Sequence, residues 1–375
     1  MSQTVKEPIA SENMIRECAI LIPSLEPDNR LLPYVQELSA AGFQHILVID
    51  DGSGENYRGI FQSIEDAGAT VLTHEVNKGK GAALKTAYRY LLENPDNIQA
   101  VLTADSDGQH TVQDCLKVLG ALEQGRDALY LGSRDFSLDN VPPKSRFGNR
   151  CTSVIFRLCY GKWLPDTQTG LRAFRADRLS FMAEVDGDRY EYEMNVLIAA
   201  SRAKMEMVPV TIETIYENDN AGTHFHPIRD SFRIYKVILG NFFRFMAASL
   251  ICVLIDQVAA ALFAEWLLPL LGMADQTSRV WTSGFLARII SSVCNFLLNK
   301  NMVFRFRGKA TGAMLRYAIL CIAVICASNL CVMLLTSIGM ARWLAKLLAD
   351  TALYFASYHF QTSWVFSQAQ EDDKK

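Results

Sequence analysis

The chain lacks the short patterns that mark several large protein classes. Its nine cysteines form no C-x-x-C pair, and Cys252, Cys294, Cys321, Cys326 and Cys331 lie in apolar runs. They read as buried, reduced thiols. No G-x-x-x-x-G-K-[ST] occurs, which excludes a P-loop nucleotide site. No G-x-G-x-x-G follows the first apolar run, which disfavours a dinucleotide fold. A basic excess is also missing: 37 Lys and Arg stand against 40 Asp and Glu, net −3. Bulk nucleic-acid binding, which needs a basic footprint, is therefore not expected. The opening MSQTVKEPIASENMIRE has no apolar h-region, so no cleaved signal peptide is expected and the first half should stay in the cytoplasm.

What is present divides in two. Half of the 375 residues are apolar and 21% are charged, values that suit a globular protein. Residues 1–240 hold 25 basic and 33 acidic side chains, net −8, whereas residues 241–375 hold 12 and 7, net +5. The second part is also far more apolar. A single soluble domain is not expected.

The first part alternates β-branched runs with helical patterns. Strands are expected at Cys18–Pro23, Ile46–Ile49, Val71–Thr73, Ala100–Ala104 and Ala128–Gly132. Helices are expected at Leu31–Ala41, Gly81–Leu92 and Thr111–Leu122. This rhythm predicts an α/β domain with a mostly parallel sheet and helices on both faces. Ligands in such sheets bind beyond the carboxyl ends of the strands. Three of those ends carry acids: Pro23-Ser24-Leu25-Glu26, Asp50-Asp51-Gly52-Ser53 and Asp105-Ser106-Asp107-Gly108-Gln109-His110. NKGKGAAL at Asn77–Leu84 is a glycine-rich helix start whose amides, with Lys78 or Lys80, could meet an anion. The Asp-x-Asp at 105 and 107 offers hard oxygen ligands on one side of a bend, which suit Mg²⁺ or Mn²⁺. An ordinary Asp-rich turn is the competing reading.

VIDDGS, NKGKGAAL, DSDGQH, LGSRDF and DTQTGLRAF occur in that order, all before residue 176. Together they resemble glycosyltransferase family 2 of the GT-A fold, in the dolichol-phosphate mannose synthase and polyprenyl-phosphate glycosyltransferase branch. The resemblance covers about residues 15–235. It implies that Asp51 contacts the nucleoside, with Pro23 and Leu25 lining the base pocket. It implies that Asp105 and Asp107 face a metal-diphosphate, with Gln109 as a further ligand or acceptor-side contact. The family often reads P-x-Y-N-E after the first strand; here Glu26 and Pro27 take the last two places. Arg134, together with Arg146 or Arg150, is implied to hold the acceptor phosphate, a group that guanidinium forks bind well. Asp166–Gly170 would border the sugar. Glu191 and Glu193 read as an acidic helix start, and His224 and His226 as a membrane-proximal turn.

The mechanism implied is direct displacement at the anomeric carbon, with inversion. A phosphate monoester, whose second pKa is about 6, needs no general base. The Q-x-x-R-W motif of processive synthases is absent.

The second part reads as membrane. Four apolar segments are expected to span it: Phe245–Leu271, Val280–Leu298, Leu315–Ile338 and Trp343–Phe366. Lys300, Arg305, Arg307, Lys309 and Arg316, with no acid among them, place the central loop in the cytoplasm. Both termini are then cytoplasmic. Arg342 and Lys346 on the other side go against that pattern. Asp256 is expected to pair with Arg288 or Lys346, since charges in a membrane are costly unless paired. NFLLNKNMVFRF and SYHFQTSWVF resemble each other as helix endings. Both resemble the GtrA family of four-helix membrane proteins, over about residues 242–367.

The expected domains are a cytoplasmic GT-A unit over 1–225, an amphipathic interfacial helix over 226–243, a GtrA-like unit over 244–367 and a charged tail over 368–375. The expected function is transfer of one hexose from GDP-mannose or UDP-glucose to a polyprenyl phosphate. Membrane lipids are expected partners, and a homo-oligomer is compatible with the sequence. Two alternatives stand beside it: a lipid-linked sugar transporter with a regulatory soluble module, and a transferase acting on a glycan hydroxyl.

Overall fold

The structure is a computed structural model. It describes residues 9–138, 141–213, 227–304, 306 and 308–366, leaving out the side chains of 144 and 227–234. Arg305, Arg307, His224, His226, the tail over 368–375 and part of the expected interfacial helix lie outside the described residues. The chain divides into two compact units: 1–157 with 162–237, and 158–161 with 238–375.

In the first unit, α1 (Glu12–Arg16) leads into β1 (Cys18–Ser24), α2 (Leu31–Ala40) and β2 (His45–Asp50). Next come α3 (Arg58–Asp66), β3 (Thr70–Thr73), α4 (Lys80–Glu93), β4 (Ala100–Thr103), α5 (Val112–Gln124) and β5 (Ala128–Arg134). The unit continues with α6 (Pro143–Tyr160), β6 (Arg172–Arg175), α7 (Leu179–Glu184), α8 (Glu191–Arg202) and β7 (Glu206–Ile212). The seven strands lie in the order β3-β2-β1-β4-β6-β5-β7. All pairs are parallel except those of β6, which runs antiparallel to β4 and β5.

The five expected strands all form. All seven residues of β1 are buried, as expected of a central parallel strand covered on both faces. β6 and β7 were not anticipated. β6 is only four residues long, and β7 contains Pro209, which an edge strand tolerates. The strand order reverses between β1 and β4, so the crevice for a ligand lies at their carboxyl ends.

The second unit is helical. α9 (Pro227–Leu262) passes through a π turn, Phe263–Leu267, into the short α10 (Leu268–Leu270). α11 (Gln276–Leu298) ends in a π turn at Asn299–Val303. α12 (Ala310–Ser337) and α13 (Arg342–Phe360) follow, and α13 also ends in a π turn, at Gln361–Val365. The two similar sequence endings therefore share a conformation. Asn299 Nδ2 donates to Gln361 Oε1 at 3.0 Å, and Phe304 stacks on Phe366 at 5.0 Å between ring centroids.

Three helical stretches among the described residues are long and apolar enough to cross a membrane: Tyr235–Leu270, Gln276–Val303 and Ala310–Ser337. The fourth expected span, at Trp343–Phe366, falls short of that standard. It is a continuous helix, but a shorter one whose apolar run is broken by Lys346 and Asp350. Of the expected charge pairs, Asp256 meets Arg288 at 3.4 Å and accepts Ser291 Oγ at 2.9 Å. Lys346 instead pairs with Asp350 at 3.1 Å, and Ser328 bridges the two.

Candidate active site

The site grows from the carboxyl ends of β1, β2 and β4. Asp51 N–H donates to Ser24 O at 2.8 Å, and Glu26 N–H donates to Ser53 Oγ at 2.8 Å. These bonds tie the ends of β1 and β2 together. Pro23 is buried within β1, and Leu25 is half-buried just beyond it.

Asp51 is buried and three donors meet its carboxylate. It accepts the amides of Lys78 at 2.9 Å and Gly79 at 2.7 Å, and His74 Nδ1 at 2.7 Å. The anion met by the amides of the NKGKG loop is thus Asp51 of the chain itself. Gly79 is required there: its φ is +106°, and a Cβ would lie 2.5 Å from Asp188 O. The loop so fixed delivers Lys80 as the first residue of α4.

Lys80 Nζ lies 2.5 Å from Asp105 Oδ1 and 2.8 Å from Glu193 Oε1. The other Asp105 oxygen faces His110 Nε2 at 3.2 Å. The backbone of Gly170 closes the remaining side: a Cβ there would lie 2.5 Å from both Asp105 oxygens. Thr103 Oγ1 holds that backbone by donating to Gly170 O at 2.7 Å. Burial alone would raise the Asp105 carboxyl. The Lys80 ammonium and the His110 ring outweigh it and hold the group well below the usual carboxylate range. Burial likewise works against the Lys80 charge, but Asp105 and Glu193 lift it above its ordinary value.

Asp107 differs from its neighbour. It accepts the Gln109 amide at 3.1 Å, and no cationic side chain among the described residues pairs with it. Burial, and then the charge of Asp105, raise its carboxyl above the ordinary value.

The turn Asp166–Gly170 joins this centre to the first arginine. Arg134, at the end of β5, makes a two-pronged pair with Asp166, Nε to Oδ2 at 2.7 Å and Nη2 to Oδ1 at 3.2 Å. The Asp166 side chain is wholly buried. Asn149 on α6 steadies the turn by donating to Pro165 O at 2.5 Å and accepting from Thr167 N–H at 3.3 Å. Arg146 and Arg150 lie exposed on α6, where Arg146 Nη2 donates to Leu138 O at 2.8 Å. The structure therefore brings Asp105, Asp107 and Gln109 together and ties Arg134 to them through one turn.

Sequence reasoning undervalued Glu193 and passed over His74 and His110. Each of these gains its role from a partner on another element, which local pattern does not show. The Gly in DTQTG was the one available signal for the wall behind Asp105.

Divalent-cation chemistry fits these donors. No group of three or more His, Cys, Asp or Glu able to hold a metal occurs among the described residues. Two carboxylates, one of them short of positive charge, are what Mg²⁺-type sites use when substrate phosphates and water complete the shell.

Residues 20–180 match the family described as Glycosyl transferase family 2, and residues 244–366 match the GtrA/DPMS transmembrane domain. Glycosyltransferase AglJ of Haloferax volcanii is 33% identical over 216 residues, covering 56% of this chain and 67% of that protein. The UDP-N-acetylglucosamine–dolichyl-phosphate N-acetylglucosaminyltransferase of Methanococcus voltae is 29% identical, covering 52% and 85%. The undecaprenyl-phosphate mannosyltransferase of Micrococcus luteus is 26% identical, covering 44% and 70%. The chain belongs to glycosyl transferase family 2 and carries a GtrA/DPMS transmembrane domain behind the transferase unit.

Proposed function

We propose that the protein transfers one hexose from a nucleotide sugar to the phosphate of a polyprenyl phosphate, with inversion, at the cytoplasmic face of a membrane. The observation that carries this reading is a strand-end Asp-x-Asp centre joined in one chain to apolar helices long enough to span a bilayer. A lipid-borne acceptor needs both parts. Two of the similar proteins are named for transfer to a lipid phosphate, which supports the same acceptor class here. Lys300 and Lys309 between α11 and α12, with Arg316 near the start of α12, support a cytoplasmic placement of that end.

Asp105 and Asp107, with Gln109, would hold Mg²⁺ or Mn²⁺. When bound, the cation neutralises charge developing on the departing diphosphate. Pro23 and Leu25 would flank the base and Asp51 would approach the nucleoside. Arg134, its guanidinium plane fixed by Asp166, would face the acceptor phosphate with Arg146 or Arg150. The acceptor is largely a dianion at neutral pH, with a second pKa of about 6, so no general base is required. The residues then supply position and charge stabilisation rather than proton transfer.

The test is to incubate the full chain in detergent with Mn²⁺, a short polyprenyl phosphate and a panel of GDP- and UDP-hexoses. Mass spectrometry of the lipid fraction should show one added hexose from one donor. Donor binding without any lipid product would overturn the acceptor assignment and point to a glycan hydroxyl.

A further inference from the structure

The charge count at the end of β4 is unusual. Two carboxylates, of Asp105 and of Glu193 on α8, share a single ammonium, that of Lys80, and Asp107 beside them has no paired cation among the described residues. Against these three carboxylates the Lys80 ammonium makes the only lysine pair among the described residues, with the His110 ring beside Asp105, which leaves the centre acidic, as a site for a divalent cation needs. Yet Lys80 sits at 2.5 Å from Asp105 Oδ1, on a carboxylate that would hold such a cation.

We infer that Lys80 is an exchange partner for the cation at Asp105, held in reserve by Glu193. The inference rests on the site reading given above. Without a divalent cation, Lys80 neutralises Asp105. With a divalent cation at Asp105, Lys80 would withdraw along its flexible four-carbon stem. Glu193, at 2.8 Å and only 12% exposed, retains the ammonium beside the site. Two acids on one lysine suit such a movement, whereas a fixed structural pair needs one. The Asp105 side chain is 30% exposed, which leaves it open to a cation from solvent, and that of Lys80 is 17% exposed. Asp105 itself cannot retreat, since Gly170 walls it off. Lys80 thereby keeps the empty site from carrying a full unbalanced charge and releases it when the donor complex arrives.

The test is Mn²⁺ binding by the full chain in detergent, read as loss of the free-Mn²⁺ electron paramagnetic resonance signal without nucleotide. Lys80→Met should bind Mn²⁺ about tenfold more tightly than the wild type, within the usual range of coupling between competing ligands. Glu193→Gln should bind about tenfold more weakly, because Lys80 is then left to Asp105 alone. In the Lys80→Met background, Glu193→Gln should have little further effect. If Lys80 merely holds Asp105 in position, Lys80→Met binds equally or more weakly, and the exchange is overturned. If the two substitutions add fully, bulk charge explains both and the exchange is also overturned. Lys80→Gln replaces Lys80→Met should circular dichroism show that the methionine variant does not fold. Wild-type protein that binds no Mn²⁺ even with UDP or GDP, or binds it undiminished as Asp107→Ala, overturns the site reading itself. Binding that Asp107→Ala abolishes, with Lys80→Met no tighter, overturns the exchange alone.

Discussion

At the end of β4, Asp105 shares one lysine with Glu193 of α8, and Asp107 is left without a paired cation among the described residues. In the helical unit, Asp256 has Arg288 and Ser291, and Asp350 has Lys346 and Ser328. Each of these two acids is matched by one cation and one hydroxyl. Hydrocarbon gives an unbalanced charge no relief, so pairs must close on themselves. The strand-end cluster lies in a crevice open to solvent, and it retains a charge deficit that a ligand can fill. An unbalanced acid is therefore the better marker of chemistry in this chain than a buried one.

Substitutions can break or sharpen that contrast. Asp107→Ala removes the uncompensated acid and should lower lipid-linked hexose formation by roughly 10³-fold, measured by product mass, with the fold intact. Asp51→Ala leaves His74 and the Lys78 and Gly79 amides without their anion. It should cost about 3 kcal/mol in thermal unfolding of the catalytic unit. Gly170→Ala drives a methyl group into Asp105 and should lower kcat/KM about 10²-fold, the scale of an ångström-sized displacement.

The helical unit should respond far less. Asp256→Ala is expected to cost about 1 kcal/mol of stability in detergent, the scale of polar contacts between membrane helices. Hexose transfer should stay within about twofold of wild type. The smallest effect concerns Asp107 without metal. Its carboxyl is raised, so its ionised form opposes folding; that contribution is favourable at low pH and lost as pH rises through the raised value. Asp107→Asn should then raise the metal-free melting temperature at pH 7 by about 2 °C, a gain that disappears in acid. For the same reason, Mn²⁺ binding should weaken on acidification before an ordinary aspartate would protonate.

The sheet was legible where its strands were long β-branched runs, as at Cys18–Ser24 and His45–Asp50. The acids at their ends were visible for the same reason. β6 escaped because Arg172–Arg175 has no apolar run and depends on two antiparallel neighbours. The partners of Lys80 escaped because Asp105 and Glu193 lie far along the chain, brought near only by the fold. In the helical unit, the helices and their matching endings were readable. The overall apolarity of Trp343–Phe366 predicts a span, and within it Lys346 and Asp350 sit one turn apart on α13.

The turn Asp166–Gly170 fixes Arg134 at one end and backs Asp105 at the other. It therefore works as a ruler of five residues between the proposed acceptor and donor ends. Side chains at its middle positions can change without altering the spacing, but its length cannot. One inserted residue adds up to about 3.3 Å of chain, more than the whole reach of a hydrogen bond. Insertions and deletions should thus be far less tolerated here than substitutions at its middle positions.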